Sequence, residues 1–145
     1  MNTSDIKVSL CHPEARLPAY QTAGASAFDI HAVNDGLIYA GRSVVFQTGL
    51  KFEIPEHTVL LIFSRSGHGF KQDVRLANCV GVLDSDFRGE LKVKLTADGN
   101  AGLRIEVGDR IAQGILMAAP RVTFTQVEAL SETQRGEKGF GHTGQ

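Results

Sequence analysis

Apolar and charged positions alternate in short runs along this chain, as in Leu91-Lys-Val-Lys-Leu95 and Leu103-Arg-Ile-Glu-Val107. A period of two puts neighbouring side chains on opposite faces of an extended backbone, so each run predicts a half-buried β-strand. The same pattern predicts strands over residues 6–10, 43–50, 58–63, 111–117 and 122–130, divided by turn signals such as Ala97-Asp-Gly-Asn100 and Val107-Gly-Asp109. Val59-Leu-Leu-Ile-Phe63 is apolar at every position and predicts a central strand covered on both faces. Residues 81–90 read as a β-hairpin, with Val80, Val82 and Leu91 in the flanking strands and 85–89 turning the chain. No stretch sustains an apolar period of 3.6 with caps, which leaves helix to a turn or two near 67–72. Many short strands at regular spacing predict an all-β fold, closed as a barrel or folded as two sheets.

At 145 residues the chain suits one domain, enough to bury roughly two-thirds of its unfolded surface. Composition shifts only after Glu132, so the expected organisation is a body over 1–132 and a glycine-rich arm over 133–145. A formal net charge of −1 supplies no basic field for nucleic acid and no polybasic signal for a membrane, so an anionic ligand would be held by local groups. Cys11 and Cys79 form no CxxC pair, which speaks against a disulfide framework or structural zinc and predicts reduced thiols. The N-terminus has neither a basic n-region nor an apolar h-region, and the expectation is a soluble, cytoplasmic protein.

Candidate chemistry falls in separate places. Arg65-Ser66-Gly67 follows the central strand and precedes the helical turn, and a guanidinium, a hydroxyl and a glycine at a strand-to-helix junction suit phosphate. Taken alone the tripeptide is weak evidence, because many surface loops share it. Asp84 sits at a strand end, where a carboxylate can orient and deprotonate a water, although an acidic residue there is ordinarily a turn former. Phe87 can wall the same pocket, although a core aromatic is the ordinary reading, and Asn78 can bond a base edge. Asp29 and Gln113 are polar residues embedded in apolar sequence; their oxygens suit a rim backbone group or, through water, Mg²⁺. The arm carries Arg135 for phosphate and Phe140 for stacking, on a backbone whose glycines leave it mobile until a ligand orders it.

Taken in order, 23–32, 64–71, 81–90, 108–116 and 135–145 resemble the five motifs of the trimeric deoxyuridine triphosphatase (dUTPase) family, and the resemblance spans nearly the whole chain. It implies a β jelly roll and a homotrimer whose active sites draw on all three subunits. By that resemblance Arg65, Ser66, Gly67 and Gln113 of one subunit hold the triphosphate. Asn78 and the backbone around Val82, Leu83 and Lys92 of a second read uracil, and its Asp84 meets the sugar 3′-hydroxyl and the attacking water. The arm of the third closes over both, with Phe140 on the base and Arg135, His142 and Thr143 facing phosphates. The implied reaction converts dUTP and water to dUMP and pyrophosphate, with Mg²⁺ mainly on the substrate phosphates and Asp29 and Gln113 reaching it only through water. Its implied role is to limit uracil in DNA and to supply dUMP for thymidylate synthesis.

Several positions depart from the family pattern. Phe87 replaces the usual tyrosine and keeps the ring that would lie under C2′ and reject ribose. Ser64 stands where proline is usual and His68 where leucine is common, which predicts a less rigid phosphate loop; Lys138 replaces a glycine of the arm. The related deoxycytidine triphosphate deaminases place their catalytic glutamate where this chain has Lys94 and a proline where it has Ser85, which disfavours deamination. A nucleotide-dependent interaction module is the remaining reading from another class.

Overall fold

In the computed structural model of the chain, residues 5–100 and 102–139 are described. Ten strands and one short helix follow in the order β1 (Lys7–Leu10), β2 (Phe28–His31), β3 (Gly36–Ile38), β4 (Ser43–Glu53), β5 (Thr58–Phe63), α1 (Ser66–Gln72), β6 (Val74–Leu76), β7 (Gly81–Leu83), β8 (Glu90–Ala97), β9 (Leu103–Ile105) and β10 (Arg110–Ala118). They make two four-stranded sheets, β1-β4-β8-β6 and β2-β10-β5-β7, and a β3-β9 pair. Every pairing is antiparallel.

The alternating pattern works as expected where it is longest. Leu91, Val93 and Leu95 of β8 point inward while Lys92 and Lys94 are exposed. Opposite them, Phe46, Leu50 and Phe52 of β4 enter the same core, which Leu60 and Ile62 of β5 reach from the other sheet. Leu60 and Ile62 are fully buried, and complete burial of such side chains contributes about 1.5–3 kcal/mol each. β5 is an interior strand, between β10 and β7. Its other face, Val59, Leu61 and Phe63, is only half covered and runs on through Ile115 and Met117 of β10 and Val82 of β7.

β4 changes register between Gln47 and Lys51. Gly49 sits there at φ +66, and a Cβ would stand 2.7 Å from both His12 Cβ and Ala15 Cβ, so only glycine fits. Side chains replace the lost ladder bonds: Glu90 Oε1 accepts from the Gly49 N–H at 3.0 Å, and the buried Thr48 hydroxyl donates to the Leu91 carbonyl at 2.6 Å.

Three expectations need correction. Residues 81–90 are not a hairpin: β7 pairs with β5 in one sheet, whereas β8 pairs with β4 and β6 in the other, so 84–89 carry the chain between layers. Turn chemistry was read correctly, but it does not reveal whether the flanking strands pair with each other. The strand expected over 122–130 does not form; Phe124 is 93% and Leu130 87% exposed, with no strand opposite them among the described residues. β9 stops at Ile105, because the turn into β10 begins with the Val107 N–H donating to Asp35 Oδ1 at 2.8 Å. Among the described residues helix is limited to α1, near the expected place. Both cysteines are free, and among the described residues no helix is long and apolar enough to cross a membrane.

Candidate active site

β5 ends at Phe63, and the chain turns through Ser64 and Arg65 into α1. Arg65 is the residue before the first helical turn, and its carbonyl accepts from the N–H groups of His68 and Gly69, each at 3.1 Å. The N–H groups of Ser66 and Gly67 precede these first bonds, and both residues are exposed. The Ser64 hydroxyl accepts from the Leu76 N–H at 2.9 Å and ties the junction to β6. Serine in place of proline therefore adds an anchor where a looser loop was expected.

Arg65 does not hang free. Its Nη1 donates to the Arg110 carbonyl at 3.0 Å and lies 3.4 Å from His68 Nε2, while Nε is 3.6 Å from Asp29 Oδ1. Asp29 of β2 is in register with Gln113 of β10 and has a side chain only 3% exposed. Arg110 Nη1 donates to Asp29 Oδ2 at 3.1 Å and Gln113 Nε2 to Asp29 Oδ1 at 3.3 Å. One buried carboxylate thus organises two arginines and the amide expected to meet phosphate, a use of Asp29 that charge pairing in a shielded place favours. Both of its oxygens are engaged, so a water carried by Mg²⁺ would have to share them. Among the described residues no group of three or more His, Cys, Asp or Glu is arranged to hold a metal ion.

Two imidazoles border this cluster. Burial, and next the Arg65 cation, push His68 below its ordinary range, with Asp109 opposing. Burial, then Arg16, does the same to His31, whose Nδ1 is buried without a hydrogen-bond partner among the described residues.

A second cluster lies where the two sheets part. Asn78, Gly81, Val82, Leu83, Lys92 and Lys94 edge a cleft of 460 Å³ floored by Ile62, Leu76 and Leu91. β6 pairs with β8 only from Leu95 to Ala97, and the Ala77 N–H then takes the Lys94 carbonyl at 2.8 Å. Carbonyls two residues apart face the same strand edge, so the Lys92 carbonyl points into the cleft beyond the end of β6, where no strand is opposite. A Cβ at Gly81 would stand 3.0 Å from Ile62 Cβ, so the glycine lets β7 lie close against β5. Phe87 and Asp84 join Val82, Leu83 and Lys92 around an adjoining hollow of 320 Å³. Asp84 is exposed, and its carbonyl accepts from the Phe87 N–H at 3.2 Å.

These two clusters are not brought together within one chain. Leu83 is opposite Leu60, which places Asp84 beside Val59 near the start of β5, whereas Arg65 follows its end. At 3.3 Å per residue, on the order of 20 Å separates them. Arg135 joins neither cluster: its Nε donates to the Lys138 carbonyl at 2.8 Å in a turn of the exposed arm. Phe140, His142 and Thr143 lie outside the described residues.

A family model described as dUTPase matches residues 13–144. The chain belongs to the dUTPase family. The deoxyuridine 5'-triphosphate nucleotidohydrolase of Helicobacter hepaticus is 41% identical over 144 residues, covering 99% of this chain and 91% of that protein. That of Nautilia profundicola is 40% identical over 139 residues, covering 96% and 98%. The solved Staphylococcus bacteriophage 80alpha dUTPase with dUpNHpp has a TM-score of 0.90 at 26% identity, covering 98% of this chain and 99% of its own. The all-β, jelly-roll dUTPase fold expected from the resemblance therefore holds. Sequence reasoning gave no role to Arg110, though it lies inside the motif that supplied Gln113, and saw Ser64 and His68 only as departures from the dUTPase pattern.

Proposed function

We propose that the chain hydrolyses dUTP to dUMP and pyrophosphate at sites shared between copies of itself. The observation that carries this reading is the cleft between the sheets, edged by the free backbone of Lys92 beside Val82, Leu83 and Asn78. Fixed donors and acceptors there can pair with the edge of uracil, and cytosine, with its donor and acceptor exchanged, leaves them unpaired, a strong ground for rejection. Phe87 beside the cleft supplies the ring against which a ribose 2′-hydroxyl would clash.

Asp84 is the group that orients and deprotonates the attacking water, and Arg65, Ser66, Gly67 and Gln113 face the phosphates where negative charge gathers. The ~20 Å between Asp84 and Arg65 exceeds what one triphosphate spans, so one substrate must take them from different copies. The half-covered face of Val59, Leu61, Phe63, Ile115 and Met117 supports such an assembly, as does the unpaired apolar sequence after Ala118. A homotrimer, with Arg135, Phe140, His142 and Thr143 of the arm closing a neighbour's site, satisfies these demands together. Mg²⁺, held mainly by the substrate's phosphates, would supply neutralisation of their charge, while Asp29 holds Arg65 and Arg110 in place.

The test is pyrophosphate release from each deoxynucleoside triphosphate with Mg²⁺. Turnover of dUTP alone is expected. Ammonia release from dCTP, or nucleotide binding without turnover of any substrate, overturns the reading.

A further inference from the structure

We propose that His68 is a positioning residue for Arg65, fixing the guanidinium so that its remaining amino group is presented to the nucleotide's phosphates. This inference rests on the phosphate role assigned to Arg65 above. The guanidinium has donors only, so each neighbour it keeps must accept. Nη1 has the Arg110 carbonyl at 3.0 Å and His68 Nε2 at 3.4 Å, and Nε faces the Asp29 carboxylate at 3.6 Å. Among the described residues neither Nη2 nor the buried Nε has a hydrogen-bond partner. Arg110 of β10 and His68 of α1 thus hold Nη1, the Asp29 carboxylate of β2 attracts the guanidinium from beyond hydrogen-bond distance of Nε, and Nη2 is left for an anion.

His68 fills its part only as a neutral imidazole with the proton on Nδ1, since an N–H at Nε2 would oppose a donor. The groups facing it favour that form: burial and Arg65, from the start of its own helix, oppose a positive charge, while Asp109 of the β9–β10 turn favours one. Nδ1 is buried without a partner, so no second bond pins the ring and Nε2 is the atom that the helix presents to Arg65. α1 buries no side chain, which leaves His68 without a core-packing role that would explain its half-buried place.

The test compares the wild type with His68→Leu, which keeps apolar bulk without an acceptor, and His68→Gln, whose amide oxygen reaches about as far as Nε2. Expected for His68→Leu is a rise in KM for dUTP of roughly tenfold with kcat changed less than about twofold, the scale of one charge-assisted hydrogen bond. His68→Gln should recover most of the loss. In the wild type, KM should rise as pH falls through the lowered value of the folded imidazole, below the ordinary 6.5, and in both variants that acid rise should vanish. Equal KM values for wild type and His68→Leu, or a wild-type KM as flat with pH as the variants', overturns the positioning role. So does a loss in His68→Leu that glutamine does not restore. If His68→Leu does not fold, His68→Gln and the wild-type pH profile decide. Absence of dUTP turnover in the wild type is a separate outcome: it sinks the proposed activity, and phosphate-analogue binding by dUpNHpp across the same variants then decides the role of His68.

Discussion

The Asp29 carboxylate, almost wholly shielded from water, accepts from Arg110 Nη1 at 3.1 Å and stands 3.6 Å from Arg65 Nε. Replacing it with asparagine would leave two guanidiniums facing a neutral amide in a shielded place. Breaking a buried pair by removing one partner costs about 3–5 kcal/mol, and the lower end applies because Arg110 is 43% exposed. Asp29→Asn is therefore expected to lose about 3 kcal/mol in urea unfolding and to raise KM for dUTP. A midpoint within experimental error of the wild type would mean that the arginines do not depend on this carboxylate.

The Phe87 ring lies over Gly89, where a Cβ would stand 2.6 Å from Cζ and 2.9 Å from Cε2. The ring is 46% exposed, so Gly89→Ala should displace it toward solvent at little cost in stability. If that ring rejects ribose, the ratio of kcat/KM for UTP to that for dUTP should rise by about tenfold or more. An unchanged ratio would move sugar discrimination away from Phe87.

These residues show what the sequence made legible. Alternation in β8 and the unbroken apolar run of β5 identified both strands because each is long enough for a period to show. β2, β3 and β6 escaped notice: β2 is buried at three of its four positions and so shows no alternation, and β3 and β6 lack the longer alternating run (103–107) or the turn signal (85–89) that pointed to the equally short β9 and β7. The turn at 84–89 was visible in its acidic and glycine residues, but partner choice is a tertiary matter, and the sheets parted where a hairpin was expected. Site residues were legible through family motifs rather than through chemistry. The hold of Arg110 on Arg65 is a spatial fact, made across 45 residues of sequence where β10 meets the start of α1, and that of His68, three residues on, depends on the helical turn between them.

Stability should carry the imprint of His68. Its imidazole is held below the ordinary value of 6.5, with burial as the leading cause. Between that value and the folded one, the unfolded chain binds a proton that the folded chain does not, so stability falls as pH drops from 6.5 and is fully present above it. The urea midpoint of the wild type should fall more between pH 7.5 and 5.5 than that of His68→Leu. Equal falls would show that the imidazole titrates as it does in the unfolded chain.

Residues 133–139 of the arm are exposed, and their hydrogen bonds run among themselves, so deleting the chain beyond Glu132 should leave the sheets and the assembly intact. It removes a stacking ring worth ~1–3 kcal/mol and an arginine whose charged hydrogen bonds are worth ~1.5–3 kcal/mol. Turnover of dUTP by a chain ending at Glu132 should accordingly fall by about two orders of magnitude or more, with the molecular mass by light scattering unchanged. Near-normal turnover would refute the closing role.

Separation of Asp84 from Arg65 along β5 permits a sharper test than either substitution alone. Asp84→Asn removes the base while keeping shape, and a general base commonly contributes 10²–10⁴-fold, so kcat should fall on the order of a thousandfold with dUpNHpp binding retained. Arg65→Ala should raise KM strongly. If each site takes Asp84 from one copy and Arg65 from another, unfolding and refolding the two variants together yields some sites with both residues intact. For random assembly in equal amounts, roughly a quarter of the sites recover, and activity should return to about that fraction. A mixture no more active than its parts would place Asp84 and Arg65 of one chain in the same site, and the shared-site reading would fall with it.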